Sequence, residues 1–415
     1  MGVSVATTRV ESRTGSGTQD ITIEGFGTPK AAIFICTFAH AAANPRDSIF
    51  FSVGMTDGTE QICNTIYAEC DKATTNTSRI SFTDRVADVY QGSYDCAFDS
   101  FIEDGVRVDW TGNPTVGYYI TVILFGGDDL SADVHECAPA TGGTNITAPG
   151  FEPDLLIVVG VANPIPASGT HAILSLGLVS GGVSPVNRAV MFESEDDVAA
   201  TEINVSVRED ACCGQIHADA VTWKASAGTF DADGYTMTSD NDASGDEVAV
   251  LALNFGGAVD CWVGTMDTPT STGDDAQTGP SFTPQFVLLL ANLMTAVGTV
   301  GTGSVGTIGT CCFDDTRESC DAASDEDGAD TTDNQGLSAD SAASVPSDDG
   351  SSLFAGTFKS FDANGWTINF SATDGTARKW PAMAIEAEGA GGDPEGGLVG
   401  GKLVGRGLLG GRLVA

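Results

Sequence analysis

The chain has 415 residues and a formal net charge of −39, from 57 acidic against 18 basic side chains. That balance excludes a surface built to neutralise nucleic-acid phosphates, and it favours a hydrated, self-repelling particle suited to a saline medium. No apolar run approaches the ~18 residues of a membrane-spanning helix, and the start, Met1-Gly2-Val3-Ser4-Val5-Ala6, lacks the charged and apolar regions of a secretory signal, so synthesis in the cytoplasm is expected.

Residues 1–20 are polar, carry Arg9 and Arg13, and read as an extended N-terminal arm or docking strand. From Ile21 the texture is β: short runs rich in Thr and Val, bounded by Gly, Asp, Asn and Pro, with no sustained helical period. Phe26-Gly27-Thr28-Pro29 leads into the apolar run Ala31 to Cys36, and Ser52-Val53-Gly54 follows. The stretch Phe101-Ile102-Glu103-Asp104-Gly105 then opens a closing pair of strands, Val106 to Trp110 and Tyr119 to Phe125, ending in Phe-Gly-Gly.

The same landmarks return at a period of about 130 residues, the mark of tandem modules. Phe151-Glu152-Pro153 leads into Leu155 to Val159, Ser175-Leu176-Gly177 follows, and Phe230-Asp231-Ala232-Asp233-Gly234 opens the closing strands. Phe282-Thr283-Pro284, Ser304-Val305-Gly306 and Phe361-Asp362-Ala363-Asn364-Gly365 repeat the order a third time. The expected fold is all-β: three tandem antiparallel β-sandwich modules, jelly-roll-like or Ig-like, at 21–135, 140–262 and 272–388. Thr-, Gly-, Asp- and Pro-rich linkers are expected near 128–145 and 262–280, and an acidic insertion, 321–349, is expected as a surface loop.

Residues 389–415 are Gly-rich. Apolar pairs recur every five residues at Leu398-Val399, Leu403-Val404, Leu408-Leu409 and Leu413-Val414, and only Lys402, Arg406 and Arg412 carry charge after Glu395. An apolar, basic tail on an acidic body reads as a docking tail for a neighbour in an assembly.

Asp231-Ala232-Asp233-Gly234 resembles the opening of a calcium loop, which needs further ligands and a bidentate Glu at its twelfth position. That position is Asp242, and the sister copies do not keep the carboxylates. The constant parts, Phe101, Phe230 and Phe361 with Gly105, Gly234 and Gly365, are expected to be a core Phe and a Gly at positive φ in a turn. Glu193-Ser194-Glu195-Asp196-Asp197 and Asp325-Glu326-Asp327 read as solvated acidic surface. Of the 11 cysteines, Cys137 lies near His135 and Cys213 near His217, but neither pair has a third group to complete a nucleophile. No spacing of Cys and His makes a zinc motif. No catalytic residue, metal or cofactor is expected. Trp110, Tyr118, Tyr119, Tyr235, Trp366 and Trp380 are candidates for stacking on sugars, weighed against filling a core.

The pattern Gly25-Phe26-Gly27-Thr28-Pro29, an apolar strand from Ala31, Ser52-Val53-Gly54-Met55-Thr56-Asp57-Gly58 and then Phe-x-x-x-Gly resembles modules in virion proteins of tailed bacteriophages. The resemblance covers most of 21–388 and is closest in the first module. It implies a tail- or fibre-associated structural protein of siphophage type, located in the virion and assembled in the host cytoplasm. The implied partners are further copies of itself, a trimer among the states, other virion proteins, and a host-surface glycan or protein. The Gly-rich end is similar to tails that attach such proteins to the particle. A head decoration or spike is the alternative within this class; a carbohydrate-binding or polysaccharide-cleaving enzyme, or a soluble adhesin, lies outside it.

Overall fold

The computed structural model describes residues 2–37, 39–40, 46–89, 93–182, 184–241, 246–301, 305–328, 332, 334–347 and 351–387. The docking-tail residues Leu398, Val399, Leu403, Val404, Leu408, Leu409, Leu413 and Val414 lie outside them.

Among the described residues the elements are β-strands, and their order repeats three times. In the first module they are β1 (Ser4–Glu11), β2 (Gly17–Thr22), β3 (Pro29–Thr37), β4 (Arg46–Asp47), β5 (Ile49–Thr56), β6 (Gln61–Ala68), β7 (Thr77–Phe82), β8 (Ala87–Asp88), β9 (Asp95–Ile102), β10 (Gly105–Trp110) and β11 (Tyr119–Gly126). Strands β1-β11-β3-β5-β6-β7 form a large antiparallel sheet and β2-β10-β9-β8 a small one. Ser131 to Asn254 and Cys261 to Glu386 repeat both sheets in the same order.

Each module is thus a sandwich, but its boundaries fall earlier than the sequence landmarks suggest. The expected arm 1–20 is β1 and the start of β2, paired with β11 and β10. The expected linkers hold the opening strands of the next module, Ser131–Cys137 and Thr144–Ile146, then Cys261–Asp267 and Gly273–Gln277. The expected acidic loop 321–349 contributes the strands Glu318–Glu326, Asn334–Ala339 and Ala343–Pro346, with Asp321 and Asp325 fully buried.

The fourth strand leaves its own module. Ser168–Thr170 of module two pairs with β7 of module one. Val300–Gly301 of module three pairs with Ile203–Arg208 of module two. β4 of module one pairs with Asn334–Ala339 of module three and closes the ring. One residue, Ser48 at φ 79° or His171 at φ 61°, turns the chain back from the donated strand into its own sheet. Left-handed backbone at a single residue permits that sharp reversal.

The large sheets are buried on both faces, which explains their continuous apolar runs, an unusual pattern for antiparallel strands. In β3, Ala32, Phe34 and Cys36 face the small sheet and join the module-one core with Val106, Val108 and Trp110. The alternate residues Ala31, Ile33 and Ile35 face inward and join Leu155, Ile157, Leu288 and Leu290 in one core shared by all three modules. Phe125 and Phe286 meet there edge to face, centroids 6.5 Å apart. Both rings are fully buried, and each contributes roughly 1.5–3 kcal/mol by leaving water. Three sandwiches therefore surround a common interior as an intramolecular trimer.

The repeated Gly has a different job from the expected one. Gly105 and Gly234 do not have positive φ, whereas Gly365 does, at 156°. A Cβ on them would lie 2.0, 1.8 and 1.8 Å from the carbonyl oxygens of Ile21, Ile146 and Gln277. The glycine lets the closing hairpin approach the neighbouring strand's backbone. In module one the left-handed residue is Asp104, at φ 64°. Of the paired aromatics, Phe230 is buried, while Phe101 and Phe361 are half-buried against Phe98 and Phe358.

Candidate metal centre

The loops that follow β6 and its counterparts meet at one end of the ring. Thr75 N donates to Val198 O and Asp197 N to Thr75 O, joining modules one and two. Gly328 N donates to Thr201 O, joining two and three. Thr332 N donates to Lys72 O and Asp71 N to Thr332 O, joining three and one. These backbone bonds hold the first residue after each β6-type strand, Glu69, Glu195 and Asp327, in corresponding places.

Each of those carboxylates has a partner. Glu69 pairs with Lys72 at 2.7 Å, and Asp327 Oδ1 accepts from Ile203 N at 3.1 Å. Glu195 instead stands beside two histidines. His171 is the reversal residue after the donated strand, and His217 ends the strand Cys213–His217 of the small sheet in module two. One potential ligand atom from each of His171, Glu195 and His217 lies within 4.8 Å of the others. The imidazole centroids are 5.3 Å apart.

The surroundings orient the rings. His217 Nδ1 lies 2.8 Å from Oε1 of Glu193, a fully buried carboxyl whose other oxygen accepts from Asn204 Nδ2 at 3.1 Å. With Nδ1 held there, Nε2 is the nitrogen that His217 has left for a ligand. His171 Nδ1 accepts from the Asp196 amide at 3.0 Å. The hydrogen bond to Glu193 holds the His217 imidazolium up, while burial and then the nearby His217 hold His171 below its ordinary value. Burial raises the Glu193 carboxyl. Glu202 is raised first by a hydrogen bond to Glu195, and its backbone carbonyl accepts from Glu195 N at 3.1 Å. Two imidazoles and a carboxylate brought this close form a donor group able to take a small divalent cation.

The sequence pointed elsewhere. Glu193 belongs to a run read as solvated surface, yet it is buried in the seam between strands. The ligand set comes from three separate stretches, so no spacing reveals it. The available signal was the meeting of a scarce residue, four His in the chain, with that acidic run.

The cysteine–histidine pairs do not assemble. Burial pushes the Cys137 thiol up to about 12, and a hydrogen bond to the adjoining Cys212, then burial, raises the Cys213 thiol well above its ordinary value. His135 bonds to Asp133 and to the Tyr235 hydroxyl instead, at 2.6 and 2.8 Å. Cys311 and Cys320 face each other on neighbouring strands and form a disulfide. Trp110, Tyr235, Trp366 and Trp380 are buried in the module cores and cannot stack on a sugar; Tyr118 and Tyr119 are half-buried. Among the described residues no helix is long and apolar enough to cross a membrane.

No protein-family model matches the chain, and no curated protein matches it in sequence.

Proposed function

We propose that this chain is a structural component of a tailed-virus particle, a tail or fibre building block that enters assembly as a ready-made three-module ring. The observation that carries the reading is the cyclic exchange of the fourth strand around a shared core. A closed ring of three similar modules suits an attachment point of threefold character, and such a ring needs no partner copies to complete its own core. The strongly acidic surface keeps it from sticking to nucleic acid during packaging. The Gly-rich segment 389–415 supplies the attachment to a neighbouring virion protein, and the exposed outer loops supply any contact with a host surface.

A cryo-EM map of the parent particle, with the chain identified by mass spectrometry, tests this directly. Ring density on the tail supports the reading, and ring density on the head moves it to a decoration or spike. A chain absent from purified particles overturns it. Deleting 396–415 should leave a soluble ring that fails to join the particle, and normal incorporation of the truncated chain would remove the docking role of the tail.

A further inference from the structure

We propose that His171, Glu195 and His217 bind one divalent transition-metal ion of the Zn²⁺ class, and that the ion clamps the seam between modules one and two.

The donor set selects the ion. Two imidazole nitrogens and one carboxylate oxygen suit Zn²⁺ and its neighbours, whereas Ca²⁺ and Mg²⁺ prefer all-oxygen shells. A side-chain hydrogen bond also links Glu202 to Glu195. The carboxyl–imidazole contact from Glu193 to His217 is the outer support that such ligands commonly have. Ligand atoms around tetrahedral Zn²⁺ sit about 3.3 Å apart, given bonds near 2.0 Å. The present spread of up to 4.8 Å therefore closes on binding. All three side chains are half-buried, which leaves them room to move.

One contact must be given up. His171 Nδ1 now accepts the Asp196 amide proton. If Nδ1 becomes the ligand, the ion takes the lone pair that this amide uses. If Nε2 becomes the ligand, the ring proton moves to Nδ1, which then no longer accepts. Either route frees the Asp196 amide.

The position makes the ion a clamp. His171 directly follows Ser168–Thr170, the strand that completes the large sheet of module one. Glu195 precedes Asp196, whose carboxylate accepts from Thr77 N of module one at 2.8 Å. His217 belongs to the small sheet of module two. An ion held by all three ties the donated strand and the junction loop to the body of module two. Neither described counterpart has the same set: Glu69 is paired with Lys72 and Asp327 with a backbone amide. One ion per chain is the expected stoichiometry.

The test uses the full chain, stripped with chelator and titrated with Zn²⁺ by calorimetry at pH 7.5. One equivalent should bind, with H171A and H217A each weakening binding at least tenfold and E193Q weakening it about 10–100-fold. H135Q, in the Asp133–Tyr235 contact, should bind as wild type. Hydrogen exchange should slow on Zn²⁺ addition at Ser168–Thr170 and at β7, and speed up at the Asp196 amide; Ca²⁺ should do neither. If an alanine variant loses its β circular dichroism, H171Q and H217Q replace it. No binding by wild type, or equal binding by the double variant H171Q/H217Q, overturns the site. Binding without slowed exchange at the seam overturns the clamp.

Discussion

The Thr121 hydroxyl donates to the carboxylate of Asp321 inside the seam between modules one and three, where both residues are almost wholly removed from water. Burial holds the Asp321 carboxyl up to about 7, against the hydrogen bonds from Thr121 and Ser338 and the charge of Arg9, which favour its ionised form. Unfolded, it titrates near 3.8. Between those values the folded chain binds more protons than the unfolded chain, so this residue's contribution to stability falls as pH rises. D321N should flatten that slope and raise stability at pH 8 by roughly 1–4 kcal/mol. Denaturant titrations of both chains at pH 4 and pH 8 check this; an unchanged slope in the variant would assign the pH dependence elsewhere.

Gly234 approaches the backbone of Ile146 too closely for any side chain. G234A should push the strand Thr144–Ile146 away from its partner and lower stability by about 1–3 kcal/mol. Gly142 has open space around it, so G142A is the matched control and should leave the melting temperature within about a degree or raise it slightly. Equal melting temperatures for the two variants would contradict the close-approach role.

A module cut from the ring loses one wall of its interior. Residues 2–127 alone would expose Ile33, Ile35, Ile123 and Phe125, which now lie in the shared core, and would leave β7 without its added strand. That fragment should not persist as a folded monomer. It should aggregate or associate through β4 and β7, and the intact chain should melt in one cooperative step. Light scattering and calorimetry decide; a monomeric fragment with a sharp melting transition would show that the modules are independent.

The thiols report the same compactness. Cys36, Cys63, Cys96, Cys137, Cys212, Cys213 and Cys312 are buried, and burial pushes Cys63 up to about 12 and Cys36 higher than its ordinary value. A thiol reagent at pH 8 should label the half-buried Cys70 first, with Cys261 slower because burial pushes its thiol up to about 12. Fast labelling of the buried group in the native chain would mean that the sandwiches open locally.

The modular plan was legible because apolar runs such as Leu155 to Val159 and the Phe-x-x-x-Gly turn repeat in order. The strand β1 was not. Ser4 to Glu11 is polar because the side chains on one of its faces meet polar groups of module three: Thr7 Oγ1 lies 3.2 Å from Cys312 Sγ, and Arg9 bonds Asp340 at 2.7 Å. The acidic strands were misread for a related reason. Asp325, fully buried, accepts from Ser194 of module two at 2.7 Å, so its partner lies more than a hundred residues away. Donated strands of two or three residues, such as Arg46–Asp47, carry no local pattern at all. The His171, Glu195 and His217 grouping depends on that exchange, so it was hidden for as long as the exchange was.

A trimer drawn from a single polypeptide closes its ring in a unimolecular step. Separate subunits part on dilution, since their association follows mass action, whereas covalent linkage holds an effective concentration that dilution cannot lower. The ring should therefore survive at concentrations where an equivalent three-chain assembly falls apart. It also lets a change at one junction occur once instead of three times, so a lone histidine pair such as His171 and His217 can exist within an otherwise threefold design.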